Sequence, residues 1–183
     1  MVALLFLSFL FPNLLADNLI KINVTDDITM KIPSEFRAMT DEEIASKYFT
    51  MRRPVALYTD QSVTIDLGIN EATTQWSNSD LEIMMSFQKS NIYSLFDEIT
   101  MLSEGIKEVN GRKAAFFEFI SKTNPAENSI SNKGAILKYI YIQYIIVGNS
   151  SWVFNFSSPV RFQGEWQASV EQMMNSIEIK GKK

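Results

Sequence analysis

The chain of 183 residues contains neither cysteine nor histidine. Without cysteine it forms no disulfide and offers no thiolate nucleophile. Because cysteine usage is what indicates the redox compartment, the sequence does not identify that compartment. Without histidine, a Ser-His-Asp triad is excluded, and so is almost all zinc chemistry. The composition therefore predicts no metal centre and no cofactor, and it favours a protein that is not an enzyme.

The chain also lacks a large excess of either positive or negative charge. The 17 basic and 21 acidic residues give a net charge of −4, and neither sign forms a long run. Because a nucleic-acid-binding protein usually carries a basic patch or stripe, nucleic acid is not an expected partner. What is present is a hydrophobic fraction of 46%, which is that of a folded protein. The length suits one domain, which we place at residues 17–183.

The first 16 residues, MVALLFLSFLFPNLLA, contain no charged side chain. Such an apolar run at the N-terminus is typical of a secretory signal, although no Lys or Arg precedes it and Leu14 stands where a small residue is preferred before cleavage. We predict export to the periplasm or the exterior, with residues 1–16 either cleaved or retained as an anchor near the membrane. The alternative is that this segment forms a strand of the mature domain.

The stretch 134–159 predicts two long strands joined by a tight turn. In the first strand both sets of alternating residues are apolar, with Ile140 and Ile142 on one side and Tyr139 and Tyr141 on the other. A strand half covered by water alternates apolar with polar residues instead. We therefore expect this strand in the middle of a sheet, with a layer of structure on each face.

Other strands are predicted where apolar and polar residues alternate, or where turn residues separate apolar runs. The predicted strands cover residues 19–24, 28–32, 55–58, 62–70, 99–109, 112–122 and 177–179. Asn110-Gly111 supplies the strongest hairpin signal, because both central residues of that turn must adopt positive φ.

Three helices are predicted from apolar residues at spacings of three and four. They cover residues 41–50, 79–96 and 160–176. Thr40 and Glu43 have the spacing of a capping box at the start of the first helix. Ser79 and Glu82 have the same spacing at the start of the second. Because such helices need a sheet face to cover, the sequence predicts an α+β fold, an α/β/α sandwich with a central, mostly antiparallel β-sheet.

Three segments of the sequence resemble the PsbP-like superfamily over about residues 20–179. They are IKINVTDDITMKIPSEF, EVNGRKAAFFEF and FNFSSPVRFQGEWQASVEQMMNSI. These segments hold a hairpin turn, apolar core positions and a helix cap, so the resemblance implies a fold and carries no functional residue to any position here. It implies a single PsbP-like domain of a family that acts mostly as binding or assembly modules. Together with the apparent signal, the polar loops and the absence of histidine and cysteine, it predicts a non-enzymatic exported module for binding or assembly.

Two acidic groups, Asp26-Asp27 and Asp41-Glu42-Glu43, offer oxygen ligands for Ca²⁺ or Mg²⁺. A hairpin turn and a negative first helical turn explain them more simply. Asp66 and Glu118, both in predicted strands, would be a carboxylate pair for acid–base chemistry if they lay together. A salt bridge or a solvent-facing strand position explains either residue without catalysis.

The arginines offer an anion site as a further alternative. They are Arg37, Arg52, Arg53 and Arg112. Arg52 and Arg53 stand near the end of a predicted helix, where positive charge is favourable in any case. No glycine-rich phosphate loop accompanies them.

Another protein is the predicted partner. Trp76 stands in a polar loop before the second helix, where it would anchor a partner together with an exposed Phe87 or Tyr93. The alternative is that Trp76 caps the core beneath its loop. The polar loop 122–133 is long for a compact domain, which is typical of functional loops. The predicted partner-binding residues are Trp76, Asn124, Glu127 and Asn128.

The alternative function is a carrier of a small hydrophobic ligand or lipid. Its pocket would lie between the sheet and the helices, lined by Met84, Met85, Phe117 and Tyr141.

Overall fold

The computed structural model describes residues 18–48, 53–73, 76–125 and 134–180. Its strands are β1 (Leu19–Asn23), β2 (Ile28–Pro33), β3 (Arg37–Ala38), β4 (Ala56–Thr59), β5 (Asp66–Thr73), β6 (Glu98–Val109), β7 (Arg112–Thr123), β8 (Ile136–Val147), β9 (Ser150–Pro159) and β10 (Glu178–Ile179). Its helices are α1 (Asp41–Lys47), α2 (Leu81–Leu95) and α3 (Gln163–Asn175). The predicted signal or anchor at residues 1–16 lies outside the described residues, as does most of the loop 122–133.

A seven-stranded antiparallel sheet organises the described part of the chain. Its strand order is β3-β4-β5-β9-β8-β7-β6. Strand β8 pairs with β9 on one side and with β7 on the other, so the prediction of an interior strand is confirmed. Hydrogen bonding on both edges leaves its two faces for side-chain packing.

The two faces of β8 enter two separate cores. On one face Tyr139 packs in a cluster with Val170 of α3 and Met30 of β2. On the other face Ile140 packs in a cluster with Met84 of α2. The predicted α/β/α sandwich is confirmed, since α2 covers one face of the sheet and α3 covers the other.

A second, three-stranded sheet shares the layer of α3. Its order is β1-β2-β10, with β2 paired to both neighbours. The predicted strands 19–24, 28–32 and 177–179 are therefore all present, but they pair with each other and not with the large sheet. Ile28, Met30 and Ile32 of β2 are buried in the core beneath α3, which explains the position of this small sheet.

Strand β5 begins at Asp66 and not at Ser62 as predicted. The Asp60 carboxylate accepts hydrogen bonds from the backbone amides of Ser62, Thr64 and Ile65, and these bonds hold the intervening residues in a turn. Within the turn Val63 adopts a φ of 55°, which is strained for a β-branched residue. Burial raises the pKa of Asp60, but its hydrogen bonds outweigh burial and the net effect lowers that pKa.

The capping box before α2 lies two residues earlier than predicted. Ser77 and Asp80 form it, with the Ser77 amide donating to the Asp80 carboxylate at 3.0 Å. A 3₁₀ turn, Asn78–Asp80, follows, and α2 begins at Leu81. The sequence offered two overlapping Ser-x-x-acid spacings, and pattern alone does not choose between them.

The Asn110-Gly111 hairpin is confirmed, with φ values of 48° and 78°. The Asn110 side-chain amide also donates to the carbonyl of Ile177 at 2.8 Å. This bond ties the β6–β7 turn to the chain that leaves α3. No helix in the described ranges has the length and apolar character needed to cross a membrane.

Candidate functional site

The outer face of α2 carries large apolar side chains in contact with solvent. Ile83 is 61% exposed and Phe87 is 52% exposed. The Phe87 ring lies 6.1 Å from that of Trp76, which packs against the core beneath. We call Trp76, Ile83 and Phe87 the α2 patch. Trp76 therefore caps the core, as one of the two sequence interpretations expected, and it also contacts the exposed Phe87.

The polar groups beside the α2 patch carry little charge. Ser86, Ser90 and Ser94 line the same face of the helix, and their hydroxyls donate to helix carbonyls at 3.1, 3.2 and 2.7 Å. Of the residues of α2 only Glu82 and Lys89 are charged, and Lys89 is paired with Glu104 of β6. Covering this face therefore costs little desolvation, because its hydroxyls already have partners within the helix.

Trp76 and Asn124, the two predicted partner residues that the structure describes, lie near opposite ends of α2. Trp76 precedes α2, whereas the Asn124 amide bonds to the Asp97 carboxylate just beyond the other end of that helix, at 2.7 Å. Helix α2, with 15 residues and a length of about 22 Å, separates Trp76 from Asn124. Glu127 and Asn128 lie outside the described residues. Sequence reasoning also missed Ile83, although its spacing of four from Phe87 places both on one helix face.

The proposed carboxylate pair is wrong. Asp66 faces away from the core under α3, since its neighbour Leu67 enters that core. Glu118 faces the opposite way, since its neighbours Phe117 and Phe119 enter the core under α2. Strands β9 and β8 also separate β5 from β7. The two carboxylates therefore lie on opposite faces of the sheet and cannot act on one substrate.

The acidic residues proposed as metal ligands make other contacts. Glu43 pairs with Arg37 at 2.6 Å, and Asp41 pairs with Arg53. Asp27 lies in the β1–β2 turn, where its amide donates to the Thr25 hydroxyl. Across the described ranges, no three acidic side chains gather in a group that could hold a metal ion.

The three described arginines of the proposed anion site do not form one cluster that is free to bind an anion. Arg37 and Arg53 each contact a carboxylate on α1, and Arg112 donates to the carbonyl of Ile179 at 3.3 Å. Arg52 lies outside the described residues. Arg37 and Arg53 therefore serve the first turn of α1, whereas Arg112 contacts β10.

Glu43 should titrate far below its ordinary pKa. Hydrogen bonds from Arg37 and from the Thr40 amide lower its pKa from 4.5 to about 2. Because the folded pKa is the lower one, ionised Glu43 stabilises the fold above pH 4.5, and this contribution is lost as the pH falls toward 2. We expect an NMR titration of its carboxyl carbon to show a midpoint near 2.

Arg37→Met should raise the Glu43 midpoint toward 4.5, the ordinary value. Lys21→Met is the matched control, because Lys21 pairs with Glu178 and not with Glu43. A midpoint near 4.5 in the unmodified chain would contradict the capping-box and ion-pair geometry.

The four residues predicted to line a hydrophobic pocket lie on opposite faces of the sheet and so do not line one cavity. Met84 and Phe117 are fully buried in the core under α2. Tyr141 lies on the other face of the sheet, in the core under α3. Two cavities among the described residues adjoin α3, and Tyr141 lines one of them.

One cavity, of about 410 Å³, lies between the β4–β5 turn and the start of α3. Trp166, Phe162 and Ile65 supply its apolar lining, and Arg161 and Glu165 are among its polar residues. The volume falls in the range of small-molecule sites. Of the cavities described, this one best fits the carrier alternative.

The other cavity, of about 200 Å³, is polar and lies between α3 and strands β6, β7 and β8. Glu118 lines it and is only 8% exposed. Its Oε1 accepts hydrogen bonds from the Tyr139 hydroxyl at 2.9 Å and from Gln167 Nε2 at 2.6 Å. Burial raises the pKa of Tyr139, and the hydrogen bond to the Glu118 carboxylate raises it further.

No protein-family model matches this chain, and no curated protein matches it. Several solved structures share its fold. It is similar to cyanobacterial PsbP (CyanoP) from Synechocystis, at a TM-score of 0.58 and 6% identity over 89% of this chain and 93% of that one. It is also similar to the Saccharomyces cerevisiae Ran-binding protein Mog1p, at a TM-score of 0.57 and 11% identity over 88% and 95% of the two chains.

A third similar structure is LpqN, involved in cell envelope biogenesis of Mycobacterium tuberculosis. Its TM-score is 0.57 at 8% identity, over 90% of this chain and 91% of that one. Identities this low show the fold alone. The class is an α+β sandwich around an antiparallel sheet. Within that class the fold is PsbP-like, as the resemblance of the three sequence segments implied.

Proposed function

We propose that this chain is a non-enzymatic, exported binding module whose partner protein docks on the α2 patch. The observation that carries the proposal is the exposure of Ile83 and Phe87 beside Trp76. Exposed apolar clusters on a folded domain mark interaction surfaces, and aromatic side chains contribute most to binding at such surfaces.

The surroundings of the α2 patch favour a protein over a membrane. A helix that binds anionic lipid carries Lys or Arg on its polar face. Here Lys89 is already paired with Glu104, and Glu82 adds negative charge. The serine hydroxyls beside the patch bond within the helix, so a mainly apolar protein surface is the expected occupant.

The similar structures and the N-terminal sequence support the rest of the proposal. Mog1p is a Ran-binding protein, which supports a binding role for this chain. LpqN takes part in cell envelope biogenesis, which agrees with export. The uncharged run of residues 1–16 is the feature of this chain that favours export.

The test is site-specific photo-cross-linking in the native host, with the full chain carrying a benzophenone amino acid at Phe87. We expect one partner protein to be cross-linked. A Phe87→Glu substitution should abolish recovery of that partner by a tagged chain, because it places a charge in the apolar interface. The matched control is Ile20→Glu, which changes an apolar residue of β1 with 47% exposure and should retain the partner.

Several outcomes would overturn the proposal. Cross-linking to a second copy of this chain would make the patch a dimer interface, and cross-linking to lipid would make it a membrane contact. Equal loss of the partner with Phe87→Glu and Ile20→Glu would show that partner binding does not depend specifically on the α2 patch. A bound small molecule in native mass spectrometry, with no cross-linked protein, would favour the carrier alternative.

A further inference from the structure

The polar cavity under α3 holds an excess of negative charge. The residues that carry the argument are Lys107, Phe116, Glu118, Tyr141, Gln167 and Glu171. Two of them are carboxylates and one is an ammonium group, so the lining carries a net charge of −1. Phe116 and Tyr141 stack with their ring centres 5.8 Å apart and form an apolar wall.

Neither carboxylate has a cation as its direct partner. In the part of the chain that the structure describes, Glu118 and Glu171 take part in no salt bridge. The hydrogen bonds that Glu118 accepts come from a hydroxyl and an amide, which are neutral. A buried carboxylate is rarely found without a cation, because desolvation without a paired charge is costly.

Lys107 does not fill that role. Its Nζ donates to the Tyr141 hydroxyl at 2.9 Å and to Asn175 Oδ1 at 2.7 Å. It lies 5.3 Å from the centre of the Phe116 ring and 5.4 Å from that of Tyr141. Burial lowers the pKa of Lys107, against the opposing effect of the two carboxylates. Its contacts therefore go to neutral groups and aromatic faces.

We propose that this cavity binds a guanidinium group, held by Glu118 and Glu171. A guanidinium presents paired N–H donors that match a carboxylate, and it tolerates an aromatic wall better than a strongly hydrated ammonium does. About 200 Å³ is less than the 300–1,000 Å³ of sites that enclose a drug-sized ligand, so the cavity takes a head group and not a whole large molecule.

The same chemistry has two sources, a free small guanidinium compound and an arginine side chain of another protein. Two probes separate them: methylguanidinium and the capped peptide acetyl-Gly-Arg-Gly-amide. The readout is the NMR signal of the Gln167 side-chain amide, which donates to Glu118 at 2.6 Å. We expect both probes to shift this signal saturably. At least tenfold tighter binding of the peptide would indicate an arginine side chain, and equal or tighter binding of methylguanidinium would indicate a free compound.

Glu118→Gln should weaken binding at least tenfold, because it removes the buried charge while keeping the side-chain shape. Glu171→Gln changes an exposed helix position and should weaken binding several-fold. This variant tests the proposal if Glu118→Gln does not fold. Glu165→Gln is the matched control, since it makes the same charge change on α3 but lines the other cavity. No saturable shift with either probe would overturn the proposal, and so would equal weakening by Glu118→Gln and Glu165→Gln.

Discussion

Phe156→Ala is expected to lower the free energy of unfolding by about 3–5 kcal/mol. Phe156 lies on β9 and is fully buried. Its ring centre is 6.2 Å from that of Tyr139 and 5.6 Å from that of Trp166, so it joins strand β8 to helix α3. The substitution removes a large apolar side chain and leaves a cavity that a sheet on one side and a helix on the other cannot easily close.

Urea unfolding followed by far-UV circular dichroism would measure this effect. The matched control is Phe87→Ala, which deletes the same atoms from the α2 patch, where half of the side chain is exposed. We expect the control to cost less than about 1 kcal/mol, because less apolar surface is lost from the core. Similar losses from both variants would contradict the assignment of Phe156 to the core and of Phe87 to the surface.

Asp66→Ala is expected to cost about 2–4 kcal/mol, because it removes a buried acceptor from three donors. Asp66 is 4% exposed, and its carboxylate lies 2.6 Å from Lys47 Nζ. It also accepts from the Tyr48 hydroxyl at 2.9 Å and, more weakly, from Thr59 at 3.4 Å. These bonds join α1 to the large sheet. The expected cost is less than for a fully buried pair, since Lys47 keeps some contact with water.

The control for this prediction is Asp41→Ala on α1, the helix that Asp66 contacts through Lys47. Asp41 pairs with Arg53, and both side chains are largely exposed. Exposed pairs contribute little, so its loss should cost less than about 1 kcal/mol. Hydrogen exchange of the α1 amides should accelerate in the Asp66 variant more than in the control. Unchanged exchange and stability after Asp66→Ala would show that these contacts do not hold α1 on the sheet.

The candidate surface was only partly predictable, for reasons that individual residues illustrate. Trp76 and Phe87 attract attention in the sequence because they are aromatic residues near polar ones. Ile83 does not, because an isoleucine in an amphipathic helix is ordinarily assigned to the core. Of the residues that line the polar cavity, the sequence singles out Glu118 and Tyr141, but it assigns them to two different sites. Glu118, Lys107 and Glu171 come from three elements, and only the packing of α3 on β6 and β7 brings them together.

The sequence by itself determined the local elements of this protein. Apolar residues on both faces of β8, the Asn110-Gly111 turn and the spacings of three and four in the helices follow from short-range geometry, so they predicted the antiparallel sandwich. Shared faces were decided only by the tertiary structure. Within a strand, alternation fixes only whether a side chain lies on the same face as its neighbours in the chain. Strand order, register and helix docking decide which side chains of different strands share a face, and they place Asp66 and Glu118 on opposite faces of the sheet. Those relations join residues far apart in the chain, and no local pattern contains them.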